Sequence, residues 1–388
     1  MTRSVSLLQP LVGMVLHGPF GVPEDRPNRS HLDDREGMAR ALALAWRGWG
    51  RVSPDPLVGA VVLRGGELVG EGWHPEYGDR HAETVALADA GEQARGATLV
   101  VTLEPCSHQG KQPPCTDAII RAGVVRVVAA MRDPNPLAAG GAERLREAGL
   151  EVEIGPLGDA AAVQNASFLH GLRDQTRPFL SLKLATSLDG KIADGFGRSR
   201  WISGEPARDC VQWLRAGFDA IGVGGRTARL DDPALTVRGP VRPRTAPRRV
   251  VFDRVADLGA NLTLIRTAGE TPTVVVISPE ADPIRVQRLQ AAGVTVVQAG
   301  SLTQALGSLR KHGITSLLVE GGGQLAGALL GAGLVDRYYW IQAPLWLGEG
   351  GIPALAGLPT QQLDQAVRWR VVDRRALGDD TLLVLDRG

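Results

Sequence analysis

HAETVALADAGEQARGATLVVTLEPCSHQGKQPPCTDAIIRAGVVRVVAAM, residues 81–131, decides the fold of the first half of this 388-residue chain. It predicts a helix opening near His81, a strand over Ala97–Thr102, a short helix over Thr116–Ala122 and an apolar strand over Val125–Met131. Strands that are apolar almost throughout, alternating with helices, predict an α/β layered fold with a sheet buried on both faces. The same stretch carries His81-Ala82-Glu83, then Pro105-Cys106 and Cys115. One imidazole and two thiolates make a tetrahedral zinc set with a fourth position left for water. Such a metal makes hydroxide available at neutral pH. Glu83 is not a ligand. Two residues from the His, it is placed to carry a proton from that water to a leaving amine, which hydrolytic deamination requires. The reading puts all three ligands at helix starts, where the positive dipole end favours thiolates.

Zinc deaminases commonly separate the two Cys by two residues, whereas here eight lie between them, Ser107 to Pro114. His108, inside that loop, is a second candidate ligand; His81 is preferred because Glu83 gives the pair a purpose. A disulfide is the competing use of two Cys, but nothing marks secretion. With three Cys in all, the chain suits a reducing cytoplasm, and Cys210 reads as a core residue of an amphipathic helix. A 44% apolar, 22% charged composition is that of a soluble globular protein. A net charge of +1 supplies no field for nucleic acid or membrane. Residues 1–32 read as a disordered extension; Pro10 interrupts the apolar Leu7–Leu16 run, and no secretory signal or membrane span is expected.

Around the opening stretch, Asp33 or Asp34 caps a helix to about Trp46, and Leu57–Leu63 and Glu67–Gly72 form strands about a Gly65-Gly66 turn. A helix over Gly141–Ala148 and a strand over Glu151–Ile154 follow. The second half begins after Arg177-Pro178, so two unrelated domains are expected, 33–177 and 178–388. Strands are predicted at Phe179–Thr186, Ala220–Val223, Val250–Phe252, Thr273–Ile277, Val294–Val297 and Leu317–Glu320, with a helix over Glu205–Ala216 and mostly strand from Tyr338 on. Glu320-Gly321-Gly322-Gly323, between a strand and a helix, is either a phosphate cradle or a plain tight turn. A second Gly-rich turn, Gly222 to Thr227, makes a dinucleotide the better fit. Lys183, Ser199, Arg215 and Arg238 are candidate phosphate partners or solvated surface groups.

The 81–136 run resembles the deaminase half of the bifunctional riboflavin biosynthesis family. SLKLATSLDGKIADGFGRSRWISGEPARDCVQWLRA, LDDPALTVR and LLVEGGGQLAGALL resemble its reductase half, in the family's order. The resemblance implies a cytidine-deaminase-like three-layer α/β/α domain followed by a dihydrofolate-reductase-like α/β domain. It implies deamination of a diamino-ribosylamino-pyrimidinone 5′-phosphate, then NADPH-dependent reduction of its ribosyl group to ribityl. By the same resemblance His81, Cys106 and Cys115 hold Zn²⁺ and Glu83 shuttles the proton. Ala185, Trp201, Thr227, Asp231, Gly322, Gly323, Gln324, Leu325, Ala326, Gly327 and Ala328 contact the cofactor. Lys183, Ser199, Arg215, Leu235, Arg238 and Glu320 contact substrate. A small-molecule enzyme is implied, cytoplasmic and homo-oligomeric, with no nucleic-acid or membrane partner.

Three positions depart from the family pattern. Asp55 stands where Asn usually lines the deaminase pocket, and an ionised Asp offers only acceptors. The Ala139-Gly140-Gly141 turn is one residue short and lacks a basic residue, a role Arg80 or Lys111 is placed to take. Arg226 occupies a small-residue turn, where it either pairs with a cofactor phosphate or obstructs. The rival reading is a deaminase whose reductase domain is weakened or only binds a ligand.

Overall fold

The computed structural model describes residues 31–388; of the disordered extension expected over residues 1–32, all but the last two lie outside them. His31 bridges to Glu67 and Leu32 donates its amide to the Gly66 carbonyl, so these two residues join the edge of the first sheet. The chain divides into two compact units: residues up to Gly48 with Pro54–Ala166, and Trp49–Ser53 with Ser167–Gly388.

The first unit runs α1 (Asp34–Ala45), β1 (Gly59–Arg64), β2 (Glu67–Trp73), α2 (Ala82–Ala90), β3 (Thr98–Val101), α3 (Cys115–Ala122), β4 (Arg126–Ala129), α4 (Gly141–Glu147), β5 (Glu151–Ile154) and α5 (Gly158–Gln164). Asp33 starts α1 through a capping box with Glu36. The sheet order is β2-β1-β3-β4-β5; β3, β4 and β5 are parallel, and β1 is antiparallel to both its neighbours. Alternate residues of β1, β3 and β4 feed two cores. Val61, Val100 and Val128 meet Met38 and Leu42 of α1 and Ala161 of α5. Val62, Leu99 and Val127 meet Ala86 of α2, Ile119 of α3 and Leu145 of α4. The result is the three-layer α/β/α arrangement, and the continuous apolar strands are its cause.

The second unit contains α6 (Ala166–Arg173, its first residue in the first unit), β6 (Phe179–Thr186), β7 (Lys191–Ala193), α7 (Glu205–Ala216), β8 (Ala220–Gly224), α8 (Gly225–Asp231), β9 (Arg248–Phe252), α9 (Thr263–Arg266), β10 (Thr273–Ile277), α10 (Pro283–Ala291), β11 (Thr295–Gln298), α11 (Leu302–Lys311), β12 (Ser316–Glu320), α12 (Gly323–Gly331), β13 (Arg337–Gln342), β14 (Ile352–Pro353), β15 (Trp369–Leu377) and β16 (Asp380–Arg387). Nine strands form one sheet in the order β11-β10-β9-β8-β12-β6-β13-β16-β15. The strands from β11 to β13 are parallel, and β16 and β15 close the sheet antiparallel. Trp49 belongs to this unit: its ring stacks on Trp213 at 4.8 Å and its Nε1 donates to the Trp213 carbonyl at 2.8 Å. No helix among the described residues is long and apolar enough to cross a membrane.

Two local expectations are corrected. Gly222 to Thr227 is not one turn: β8 runs through Gly224 and α8 starts at Gly225, so Arg226 is an exposed residue of a helical first turn. Cys106 does not open a helix but lies in the loop after β3; only His81, the N-cap of α2, and Cys115, first residue of α3, sit at helix starts.

Candidate functional site

In the first unit His81 Nδ1 lies 3.6 Å from Cys106 Sγ and 3.3 Å from Cys115 Sγ, and the three ligand atoms fall within 4.8 Å of one another. A tetrahedral zinc ion with bonds of about 2.0–2.3 Å sets N···S edges of about 3.5 Å, so the donor set fits the ion in kind and spacing. Cys106 is still served by a helix: the Cys115 amide, at the N-terminus of α3, donates to its Sγ at 3.4 Å. The Cys115 thiol hydrogen bond, with a further one from His81, brings the Cys106 thiol down to about 4 against its burial. Cys115, donating to Cys106 and buried, is pushed up, and the Cys106 hydrogen bond raises His81 to about 9. The protons that hold this cluster together are the ones a divalent metal displaces on binding. Glu83 is 4% exposed. Burial raises its carboxyl, with His81 opposing, which suits a group that must alternately hold and release a proton.

Two supporting residues were not found from sequence. Glu104, 3% exposed, accepts the Ala142 amide at 2.8 Å and the Asp133 amide at 3.1 Å, tying the Cys106 loop to α4. Gly141 is required there, since a Cβ would come within 1.7 Å of the Pro105 carbonyl oxygen. His74 packs edge-on to His81 at 5.4 Å, donates Nδ1 to the Arg80 carbonyl at 3.1 Å, and places Nε2 3.3 Å from Asp55 Oδ2. Asp55 is thus brought to the metal cluster through one intervening ring. Position next to Cys106 was the available signal for Glu104; His74 had none. His108 is exposed and outside the ligand cluster. In the loop between the Cys, Lys111 Nζ lies 3.6 Å over the Tyr77 ring and Gln112 donates to the Gly78 carbonyl at 2.9 Å.

In the second unit a cleft of about 1470 Å³ opens at the C-terminal ends of the parallel strands, the usual ligand position for such a sheet. Lys183, Ala185, Ser199, Trp201, Arg215, Thr227, Asp231, Leu235, Arg238, Glu320, Gly322, Gly323, Gln324, Leu325 and Ala328 all line it. Ala326 and Gly327 do not: Ala326 is fully buried in the core, and Gly327 faces the Ala356 carbonyl. Arg215 grips Glu320 with two hydrogen bonds, 2.6 and 2.8 Å, and donates a third to the Thr236 carbonyl. Burial works against the Glu320 charge, but Arg215 holds the carboxyl below its ordinary value; burial pulls Lys183 down, with Glu320 opposing. Gly321 and Gly322 take φ of 79° and 84°, which lets the chain turn from β12 into α12, and both line the cleft with Gly323. Sequence reading missed one arm of this cleft, formed by Phe252–Arg254, Val276–Ile277 and Ala299–Leu302.

A His/Cys/Cys cluster with both thiols buried and an adjacent Glu, on one α/β/α unit, and a Gly-turn cleft on a second unit define a zinc-type deaminase joined to a reductase. Residues 32–131 match the cytidine and deoxycytidylate deaminase zinc-binding region, and residues 178–383 match the RibD C-terminal domain. The riboflavin biosynthesis protein RibD of Aquifex aeolicus is 39% identical over 355 residues, covering 91% of this chain and 98% of its own length. That of Escherichia coli is 41% identical over 371 residues, covering 91% and 99%. The solved structure of Acinetobacter baumannii RibD, form 1, superposes with a TM-score of 0.76 at 38% identity, covering 92% of this chain and 99% of the other. A Thermotoga maritima structure described as a diaminohydroxyphosphoribosylaminopyrimidine deaminase/5-amino-6-(5-phosphoribosylamino)uracil reductase gives 0.77 at 34%, covering 92% and 99%. The chain belongs to the RibD family of riboflavin biosynthesis, bifunctional deaminase and reductase enzymes.

Proposed function

We propose that residues 33–177 remove the 2-amino group of 2,5-diamino-6-ribosylamino-4(3H)-pyrimidinone 5′-phosphate as ammonia. Residues 178–388 then reduce the ribosyl group of the product to ribityl with NADPH. The observation that carries the first step is the His81–Cys106–Cys115 triad at tetrahedral spacing with Glu83 buried beside it. Zinc, when bound by these three, supplies Lewis-acid activation of water near neutral pH. Glu83 takes a proton from the incoming water and delivers it to the departing nitrogen. Glu104 fixes the Cys106 loop and His74 orients the His81 ring, while Asp55 meets the pyrimidine edge as an acceptor. Lys111 and Arg80 are the cations nearest in sequence to the site that suit the substrate phosphate.

The reductase step is supported by the cleft itself. A reduced nicotinamide supplies the reducing equivalents. The glycine turn and the start of α12, Gly321 to Leu325, cradle the dinucleotide phosphates, with Thr227 Oγ1 beside Gly322. Lys183, Arg215 and Glu320 hold the sugar end of the substrate, and Ser199 and Arg238 its phosphate. An intact Lys183–Glu320–Arg215 constellation favours a working reductase over a ligand-binding remnant. The enzyme is read as a cytoplasmic homo-oligomer. Supplying the pyrimidine to the zinc-analysed protein with and without NADPH tests the scheme: deaminated ribosyl product without it, ribityl product with it. Ribityl product absent despite deamination would leave the rival reading.

A further inference from the structure

We infer that Asn165 is a positioning residue of the deaminase: its side-chain amide holds Leu57 and so sets where Asp55 meets the pyrimidine. This rests on the reading of the first unit as a pyrimidine deaminase with Asp55 on the substrate edge, and it names the residue that holds Asp55 there.

Residues 56–58 lead into β1 but belong to no strand or helix themselves. Leu57 is nonetheless buried, so its backbone N–H and C=O both need partners within the protein. Asn165 supplies both. Its Oδ1 accepts the Leu57 amide at 2.8 Å, and its Nδ2 donates to the Leu57 carbonyl at 3.0 Å. One side chain stands in for the neighbouring strand that this segment lacks. Only a carboxamide offers the donor and the acceptor side by side that this requires.

The clamp is rigid on its own side. Asn165 ends α5, where its amide donates to the Ala161 carbonyl at 3.0 Å and its Nδ2 reaches the same oxygen at 3.4 Å. Gln164, one residue earlier, ties α5 to α1 through the Leu42 carbonyl at 2.9 Å, and Ala161 packs in the core with Met38 and Leu42. Asn165 is 5% exposed, so water does not compete for its hydrogen bonds with Leu57.

From Leu57 the constraint runs to Asp55 along a stiff stretch of chain. Pro54 and Pro56 flank Asp55. The ring of Pro56 fixes its φ, and a residue before proline is confined to extended conformations. Few torsions are left between the Leu57 amide and the Asp55 carboxylate. At the far end Asp55 Oδ2 lies 3.3 Å from His74 Nε2, and the His74 amide donates to the Val58 carbonyl at 2.9 Å. His74 has a further tie through Nδ1 to the Arg80 carbonyl and directly follows β2, so it keeps its place beside His81 without the clamp. Asp55, partly exposed and one proline away from Leu57, takes its place from the clamp.

Deaminase kinetics of the zinc-loaded full chain on 2,5-diamino-6-ribosylamino-4(3H)-pyrimidinone 5′-phosphate, read as ammonia release, test the assignment. Asn165→Ala is expected to raise KM about tenfold with kcat within about threefold of wild type, the split that a lost binding contact produces. Asn165→Asp is isosteric and keeps an acceptor for the Leu57 amide, but it turns a second acceptor toward the Leu57 carbonyl and should also raise KM. Asp55→Ala should raise KM by itself, and Asn165→Ala added to it should change KM by less than about twofold, because the first residue acts through the second. Zinc content should match wild type in every variant. A KM within about twofold of wild type in Asn165→Ala, or full additivity with Asp55→Ala, overturns the positioning role. So does a first unit that unfolds in both Asn165 variants, since the residue is then structural. Deamination by wild type with KM unmoved in Asp55→Ala overturns this proposal and leaves the deaminase reading standing. A wild type that releases no ammonia overturns both.

Discussion

Glu104→Gln isolates the support of the metal site from the site itself. The carboxylate, 3% exposed, accepts two backbone amides, Ala142 at 2.8 Å and Asp133 at 3.1 Å. Gln fills the same volume but has one acceptor oxygen where Glu has two. Its amide must then meet one of the two N–H groups donor to donor. Ala142 is fully buried and Asp133 only partly so, which makes Ala142 the contact to be kept and Asp133 the one to be lost. Leaving one amide unsatisfied costs about 1–3 kcal/mol, toward the lower end where water reaches it. The loop it releases carries Cys106, and a loosened ligand support lowers metal affinity by about 10–100-fold, or about 1.4–2.7 kcal/mol. Competition with a coloured chelator measures that loss, and thermal unfolding with and without added zinc separates it from global destabilisation. Zinc affinity within about twofold of wild type, with the first unit equally stable, would show that Glu104 does not hold the Cys106 loop.

Glu83→Gln should keep a full complement of zinc yet lose deamination by a factor of about 10² or more, because the amide cannot carry the proton; metal analysis beside ammonia release checks it. Trp49→Ala removes a stacked ring and the Nε1 hydrogen bond to the Trp213 carbonyl. For a half-buried Trp the loss should be about 2–3 kcal/mol in the unfolding of the second unit, read by calorimetry. Glu320 has a folded-state carboxyl held below its ordinary value of 4.5 by Arg215 against burial. Its stabilisation is therefore present above that value and lost as pH falls through the lower folded one. Reductase binding of substrate should persist through pH 4.5 and fail only further into acid, where Glu320 in the folded protein takes up its proton, and Glu320→Gln should remove this acid limb from the binding profile.

How far each site could be read from sequence follows from how its residues are gathered. His81, Cys106 and Cys115 lie within one stretch, and the spacing of ligands around a strand and two helix starts is itself a sequence signal, so the metal cluster was legible before any geometry. Even there the helix-start argument failed for Cys106. Its thiolate gains the α3 dipole from across the loop, through the Cys115 amide, and periodicity cannot show a contact of that kind. The strands Phe179–Thr186, Thr273–Ile277 and Glu151–Ile154 were readable to the residue because burial on both faces or sharp turns bound them. α8 was not, since Gly224-Gly225 reads as a turn until one sees that a Cβ on Gly225 would come within 2.6 Å of the Asp253 carboxylate. Close helix packing, not a bend, is what that glycine serves.

The reductase cleft is assembled by strand order, which sequence does not state. Lys183 and Glu320 are 137 positions apart in the chain, yet they are register partners on adjacent parallel strands. Their resemblance-based assignment to one cleft needed no topology, and the cleft holds both. Ala326 and Gly327 show the limit of assigning a contiguous run. On a helix, neighbours turn away by about 100° per residue, so a run from Gly322 to Ala328 must put some members into the core. Gln324, Leu325 and Ala328 face the cleft because they share one side of α12, and Ala326 packs among β-strand side chains because it does not. The arm at β9, β10 and β11 escaped for the opposite reason. Its lining residues come from three separate strand ends with no motif among them, and only their order in the sheet brings them to one cleft.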